Sequence, residues 1–260
     1  MAMGPRLHVA HGALGLDGAP FALDDGASRH IQVLRLQPGD VIRLFNGRGQ
    51  EWAAEVTEMG RKVVHVRLGE PVANDRELPV QVTLAVGMPA NDRMDAVVEK
   101  ATELGAHAIQ PLVCARSVLR LDGDRAAKKV AHWQAVAVSA SEQCGRAVVP
   151  QVLPVQTLAN WLKQDSVSPV AMHRGVLSLR DAVAVRRWLG AQADGTELTR
   201  TGAMPRSWCF LNGPEGGLAA EEEAQALAQG WTAVSLGRRV LRADTAPLAV
   251  LSVIAAMSEV

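Results

Sequence analysis

From Val80 onward, short apolar runs alternate with longer runs of helical period, and this alternation constrains the fold more than any other feature. Val80–Val86, Ala108–Val113, Val170–Met172, Trp208–Leu211 and Thr232–Leu236 read as strands. Asn91–Leu104 puts Met94, Val97, Val98, Ala101 and Leu104 on one helical stripe, with Asn91 as N-cap and Gly105 as stop. Asp124–Gln143 reads as a long helix. Further helices are predicted near Ser178–Leu189, Ala219–Gln229 and Thr245–Met257, with Ala193–Arg206 a loop. Strands that alternate with helices imply an α/β fold, a parallel sheet covered on both faces.

The N-terminal part is patterned differently. Arg6–Val9 is short and extended, and Asp24–Leu36 is helix-like with Ala27, Ile31 and Leu34 on one stripe. Asp40–Phe45 and Gln50–Thr57 flank Asn46-Gly47-Arg48-Gly49, a strong hairpin signal. Lys62–Leu68 alternates Val64, Val66 and Leu68 with His65 and Arg67. Several short strands and one helix suggest a small β-barrel. Glu70–Pro79 is polar with two prolines and reads as a linker. Two domains follow, at 1–72 and 78–260.

Composition excludes several classes. At 48% hydrophobic and 21% charged, the chain is neither disordered nor fibrous. It has no apolar run long enough for a membrane span, and MAMGPRLHV lacks the apolar core of a signal peptide. Cys114, Cys144 and Cys209 are scattered, without CxxC, which points to a reducing, cytoplasmic setting and away from disulfides or structural zinc. The histidines form no HxH or HxxxH pair, so no metal is expected, and no GxSxG elbow is present. With no tyrosine and three phenylalanines, base stacking on an aromatic sheet is disfavoured. Net charge is zero, yet cations cluster locally, so one face can still meet nucleic acid.

Three segments carry candidate chemistry. Leu211–Gly217, LNGPEGG, follows a strand and precedes a Glu-rich helix. Three glycines there let backbone N–H and C=O groups approach a ligand at the carboxyl edge of the sheet. The motif is neither GxGxxG nor a P-loop. Leu236–Thr245, LGRRVLRADT, also follows a strand, turns at Gly237 and carries Arg238, Arg239 and Arg242 around Val240 and Leu241. Ser139–Arg146, SASEQCGR, ends the long helix. There Arg146 either complements the helix dipole or contacts phosphate or base, and Cys144 reads as a small buried residue.

Taken together, LNGPEGG, LGRRVLRADTA, MDAVVEKATELGAHAIQPLVCARS (Met94–Ser117), HWQAVAVSASEQCGR (His132–Arg146) and the N-terminal PRLHV resemble the RsmE family of ribosomal RNA methyltransferases, within the SPOUT superfamily. The resemblance spans nearly the whole chain. It implies a PUA-like RNA-binding β-barrel, then a SPOUT domain with a C-terminal trefoil knot. It further implies a homodimer that transfers methyl from S-adenosylmethionine to N3 of one uridine in 16S ribosomal RNA, free or in the small subunit. The methyl donor would lie on Met172, His173, Leu211, Asn212, Gly213, Glu215, Gly216, Gly217, Leu236, Gly237, Arg239, Val240 and Leu241. Catalytic candidates are Arg239, Arg242 and Arg146, with Glu142 or Glu215 as proton acceptor. Arg6, Arg29, Arg35, Arg116 and Arg120 are candidate phosphate contacts. A ribose 2′-O-methyltransferase and a non-catalytic assembly factor of the same fold are the alternatives. Three positions depart from the family: Asn212 replaces an aliphatic residue, Arg242-Ala243-Asp244-Thr245 replaces RTET, and His173-Arg174 replaces a His-Glu pair.

Overall fold

The computed structural model describes residues 4–10, 14, 18–90, 93–165, 172–193 and 207–258. The expected cap Asn91, the start of the strand at Val170 and most of the loop Ala193–Arg206 lie outside the described residues. The chain divides into two compact units. One comprises residues up to Glu77 together with Val138–Val149, the other Leu78–Ala137 together with the chain from Pro150.

In the first unit, β1 (Arg6–His8), β2 (Phe21–Ala22), α1 (Asp25–Val33), β3 (Val41–Phe45), β4 (Glu51–Met59) and β5 (Val64–Val72) follow in order. The five strands form one curled sheet of order β1-β3-β4-β5-β2. The Asn46 side chain shapes the β3–β4 turn, its Oδ1 accepting from the N–H groups of Arg48 and Gln50. β1 joins β3 in parallel and the other pairs are antiparallel. Leu7, Ile31, Ile42, Leu44, Val56, Val64 and Val66 close the core. Leu34 does not join it: α1 ends one residue earlier, and Leu34 is 44% exposed at the cap, with Ser28 buried on the stripe instead. β5 also runs through Glu70–Val72, so pairing with β4 absorbs the start of the expected linker.

In the second unit, β6 (Gln81–Gly87), α2 (Arg93–Glu103), β7 (Ala108–Val113), α3 (Gly123–Cys144), β8 (Gln151–Val152), β9 (Gln156–Thr157), α4 (Leu158–Asp165), β10 (Met172–Leu177), β11 (Val183–Ala184), α5 (Val185–Ala193), β12 (Ser207–Asn212), α6 (Ala220–Ala228), β13 (Thr232–Ser235) and α7 (Thr245–Ser258) follow, the last turns of α3 lying in the first unit. The sheet order is β11-β13-β10-β12-β6-β7-β8, with β9 beside β7, and every pair is parallel. Continuous apolar runs form its middle because both faces are covered: Val82, Leu84, Ala85, Val86, Cys209, Phe210 and Leu211 are fully buried. α5 starts later than its pattern predicts, because Ser178–Arg180 turns back on itself and Val183–Ala184 adds an edge strand.

Beyond β13 the chain crosses the end of β12, where the Asn212 carboxamide donates to Ala243 O, and α7 then packs on α2, β6 and β12. Pro247, Val250, Leu251 and Ile254 form the buried side of α7.

Candidate active site

A parallel sheet gathers its connections at the carboxyl ends of the strands, and ligands bind in the crevice outside them. Three such connections enclose a cavity of about 590 Å³: Leu177–Arg180 after β10, Asn212–Leu218 after β12, and Leu236–Ala243 after β13. Arg93 and Arg116 add to the rim. The volume suits a small-molecule ligand.

The middle loop is built rather than merely flexible. Gly217 has φ +67°, and the Gly217 N–H donates to Pro214 O. A Cβ on Gly213 would sit 2.5 Å from Leu218 N and 2.6 Å from the Gly217 carbonyl carbon, so only glycine closes this turn. The loop is fastened from outside by Glu215, which accepts from Ala90 N–H at 2.8 Å and from Arg93, and by Arg116, which donates to Gly216 O at 2.9 Å. Glu222 accepts from the N–H groups of both Ala219 and Ala115. Glu215 therefore lines the cavity with its carboxylate already engaged as a loop anchor. Arg239 and Arg242, by contrast, have no carboxylate within ion-pairing distance among the described residues, although both line the cavity. Val240, between Arg239 and Leu241, is 82% exposed.

Of the residues expected to hold a methyl donor, Asn212, Gly213, Glu215, Gly216, Gly217, Leu236, Gly237, Arg239, Val240 and Leu241 all line this cavity. Leu211 is buried in β12 one residue below it. Met172 and His173 require a correction. They open β10, in register with Ser207 and Trp208 at the amino end of the sheet, and Leu177 lies five positions further along the strand, about 16 Å away. The His173 ring instead lies against Trp208, with centroids 4.5 Å apart. The loop that reaches the cavity is Leu177–Arg180, because the strand runs on to Leu177 rather than ending at Met172. The apolar Gly175-Val176-Leu177 run followed by SLRD was the available signal.

The first unit corrects three further expectations. Arg146 is 3% exposed and grips Glu77 through Nε and Nη2, the latter at 2.6 Å. Arg6 pairs with Glu51 at 2.9 Å, donates to the carbonyls of Ser141, Glu142 and Arg146, and stacks over Phe45. Both guanidiniums are held inside this unit, so neither Arg146 as a catalytic group nor Arg6 as a phosphate contact survives. Burial alone would push the Glu51 carboxyl up, but hydrogen bonds from Arg6 and Asn74 outweigh it and hold it below its ordinary range. Glu142 accepts from His8 N–H, and burial pushes its carboxyl up. It too is a structural member of the first unit rather than the expected proton acceptor. Residues 145–149 run along the β3–β4 turn, with bonds from Gly49 N–H to Ala147 O and from Val149 N–H to Gly47 O. This explains why SASEQCGR belongs with the barrel-like sheet and not with the cavity.

Arg29 and Arg35 are exposed on and just after α1, Arg120 is exposed and donates to Ala115 O, and Arg116 joins the cavity rim. Cys144 is half-buried rather than buried. Burial pushes the Cys114 thiol up to about 12, which leaves no reactive thiolate there. Among the described residues, no group of three or more His, Cys, Asp or Glu side chains could hold a metal ion, and no helix is long and apolar enough to cross a membrane.

Residues 76–255 match the family described as RNA methyltransferase domain, and residues 23–69 match RNA methyltransferase PUA domain. Ribosomal RNA small subunit methyltransferase E of Bacillus subtilis is 32% identical over 94% of this chain and 93% of its own. The chain belongs to the ribosomal RNA small subunit methyltransferase E family. Solved structures agree with that membership. The family member from Neisseria gonorrhoeae, bound to S-adenosyl methionine, superposes with a TM-score of 0.82 at 33% identity, covering 96% of both chains. A Legionella pneumophila methyltransferase in complex with the same cofactor gives 0.83 at 28% identity, covering 98% of both. Within the family frame, Arg93 and the Leu177–Arg180 loop are among the cavity residues that sequence reasoning overlooked. Arg93 sits in a helix whose pattern speaks only of its buried side, so nothing in the sequence marked it.

Proposed function

We propose that the cavity of the second unit binds S-adenosylmethionine and that the chain transfers its methyl group to N3 of one uridine in 16S ribosomal RNA. The observation that carries this reading is a glycine-closed cavity rimmed by Arg239 and Arg242, which have no carboxylate partner among the described residues, in a chain of this family. The residues suit the donor. The Gly213–Gly217 loop offers backbone groups with little side-chain bulk, and the buried Asn212 Oδ1 has no hydrogen-bond partner among the described residues. S-adenosylmethionine supplies an electrophilic methyl on a sulfonium. The chain's own task is alignment, which lowers a displacement barrier by several kcal/mol without a metal.

N3 of uracil carries a weakly acidic proton, which leaves to solvent before or during attack; the N3–methyl bond forms as the methyl–sulfur bond breaks, and S-adenosylhomocysteine departs. Arg239 and Arg242 stabilise the anionic base by facing its oxygens, and the exposed Val240 packs on its ring. Glu215, engaged by Ala90 and Arg93, holds the loop rather than taking the proton. Arg29, Arg35, Arg116 and Arg120 supply phosphate contacts that fix register without reading sequence.

We further infer a homodimer, a C-terminal trefoil knot and a cytoplasmic setting. Leu248, Val253 and Met257 leave apolar surface half-exposed on α7, which a second copy would cover. The crossing of the β13–α7 connection over the end of β12 fits a knotted path. All three cysteines are free. The test is nucleoside analysis of 16S RNA and small subunits after incubation with labelled donor. Label in 3-methyluridine supports the reading; label in a 2′-O-methylated nucleoside, or none, overturns it.

A further inference from the structure

Asn212 closes β12 and is 3% exposed. Its Nδ2 donates to Gly213 O and to Ala243 O, both at 3.1 Å. Turning the amide over would set its oxygen against two carbonyl oxygens, so the partners fix which atom is which. One side chain thus ties the connection after β12 to the connection after β13, two of the three walls of the cavity. Its other end is left unsatisfied, because Oδ1 is buried with no hydrogen-bond partner among the described residues. Buried acceptors are rarely left unpaired, and one that is calls for a partner supplied from elsewhere. Asn212 also lines the cavity.

We propose that Asn212 is a positioning and recognition residue for the bound cofactor: its Nδ2 locks the two loops together, and its Oδ1 accepts a hydrogen bond from an N–H or O–H of the ligand's adenosyl group. This rests on the reading of the cavity as the methyl-donor site. It makes the cavity selective for a ligand with a donor at that point, since a ligand lacking one leaves the acceptor buried and unpaired. An aliphatic residue at this position would fill the same space but could provide neither the lock nor the selectivity.

The test is calorimetric titration of the full chain with S-adenosylhomocysteine and three analogues: the inosyl form, which lacks the exocyclic amine, and the 2′-deoxy and 3′-deoxy forms. Wild type and Asn212→Leu are compared. In wild type, one analogue should bind about five- to tenfold more weakly than the parent ligand. That penalty should disappear in Asn212→Leu, and the analogue concerned identifies the donor. Equal binding of all four ligands by wild type, or the same penalties in both proteins, overturns the proposal while leaving the cofactor reading intact. No binding of S-adenosylhomocysteine to wild type overturns both. Should Asn212→Leu fail to fold, the wild-type series still decides, with equal affinities counting against the proposal. Asn212→Ser, which retains a small acceptor, then replaces Leu and should show an intermediate penalty.

Discussion

Arg6 and Arg146 in the first unit, and Arg239 and Arg242 in the second, look alike in sequence: arginines near glycines and short apolar runs. Their fates are opposite. The first pair is buried against Glu51 and Glu77, and Arg6 also supports the backbone carbonyls of residues 141, 142 and 146. The second lines a cavity with no carboxylate partner among the described residues. The difference is an acid from a distant part of the same unit. A buried arginine needs a paired charge to offset its desolvation, whereas an arginine at a ligand site must keep its hydrogen bonds for the ligand. Local charge density therefore says where cations are, and only the tertiary partner says whether they are structure or site.

The sharpest way to break this comparison is to treat both pairs alike. Arg6→Ala strands Glu51, whose side chain is 4% exposed, with Arg43 3.7 Å away as its remaining ion-pair partner. It should lower unfolding stability by about 3 kcal/mol, measured by denaturant titration. Affinity for S-adenosylhomocysteine should change little. The double variant Arg239→Ala with Arg242→Ala should do the reverse. Methyl transfer should fall about 100-fold, as for removal of groups that stabilise developing charge. Its stability should stay within about 0.5 kcal/mol of wild type. If the second pair destabilises and the first lowers activity alone, the assignments are exchanged.

Smaller effects sharpen it further. Gly217→Ala meets no atom within 4 Å, so its penalty is the left-handed backbone alone, about 1 kcal/mol by thermal or denaturant unfolding. The smallest effect is in pH dependence. Glu51 titrates below the ordinary carboxyl value of 4.5 in the folded chain, so its stabilisation is complete above that value and is lost as pH falls through the folded pKa. Glu142 is shifted the other way, so its contribution weakens as pH rises from 4.5 through its folded pKa. Glu51→Gln should flatten the acid limb of the stability profile, and Glu142→Gln should leave neutral stability equal or higher. Matching slopes for the two variants would contradict these opposite environments.

Much of this was legible in the residues. Periodicity located β6, β7, α2, α3 and α7 because their apolar patterns are long and unbroken. The Asn46-Gly47 hairpin and both cavity loops announced themselves through glycine and polar punctuation. What failed has physical reasons. The sequence pattern ends this strand at Met172 because His173-Arg174 interrupts the apolar run before Val176-Leu177, whereas β10 runs on to Leu177 and leaves Met172 and His173 at the amino end of the sheet. From the sequence, Arg146 of SASEQCGR reads equally as a helix-dipole partner or a phosphate or base contact, because Glu77, which neutralises it, is remote in sequence. The lock formed by Asn212 is a hydrogen bond to Ala243, a pairing that no local pattern encodes.

The central claim is that the carboxyl-end cavity holds the methyl donor. The most direct measurement is calorimetric titration of S-adenosylmethionine into the wild-type chain and into Gly213→Val, whose side chain would collide with Leu218 N and the Gly217 backbone. Saturable binding to wild type, abolished in a Gly213→Val protein whose circular dichroism is unchanged, is the predicted result. Equal binding by both proteins would contradict it.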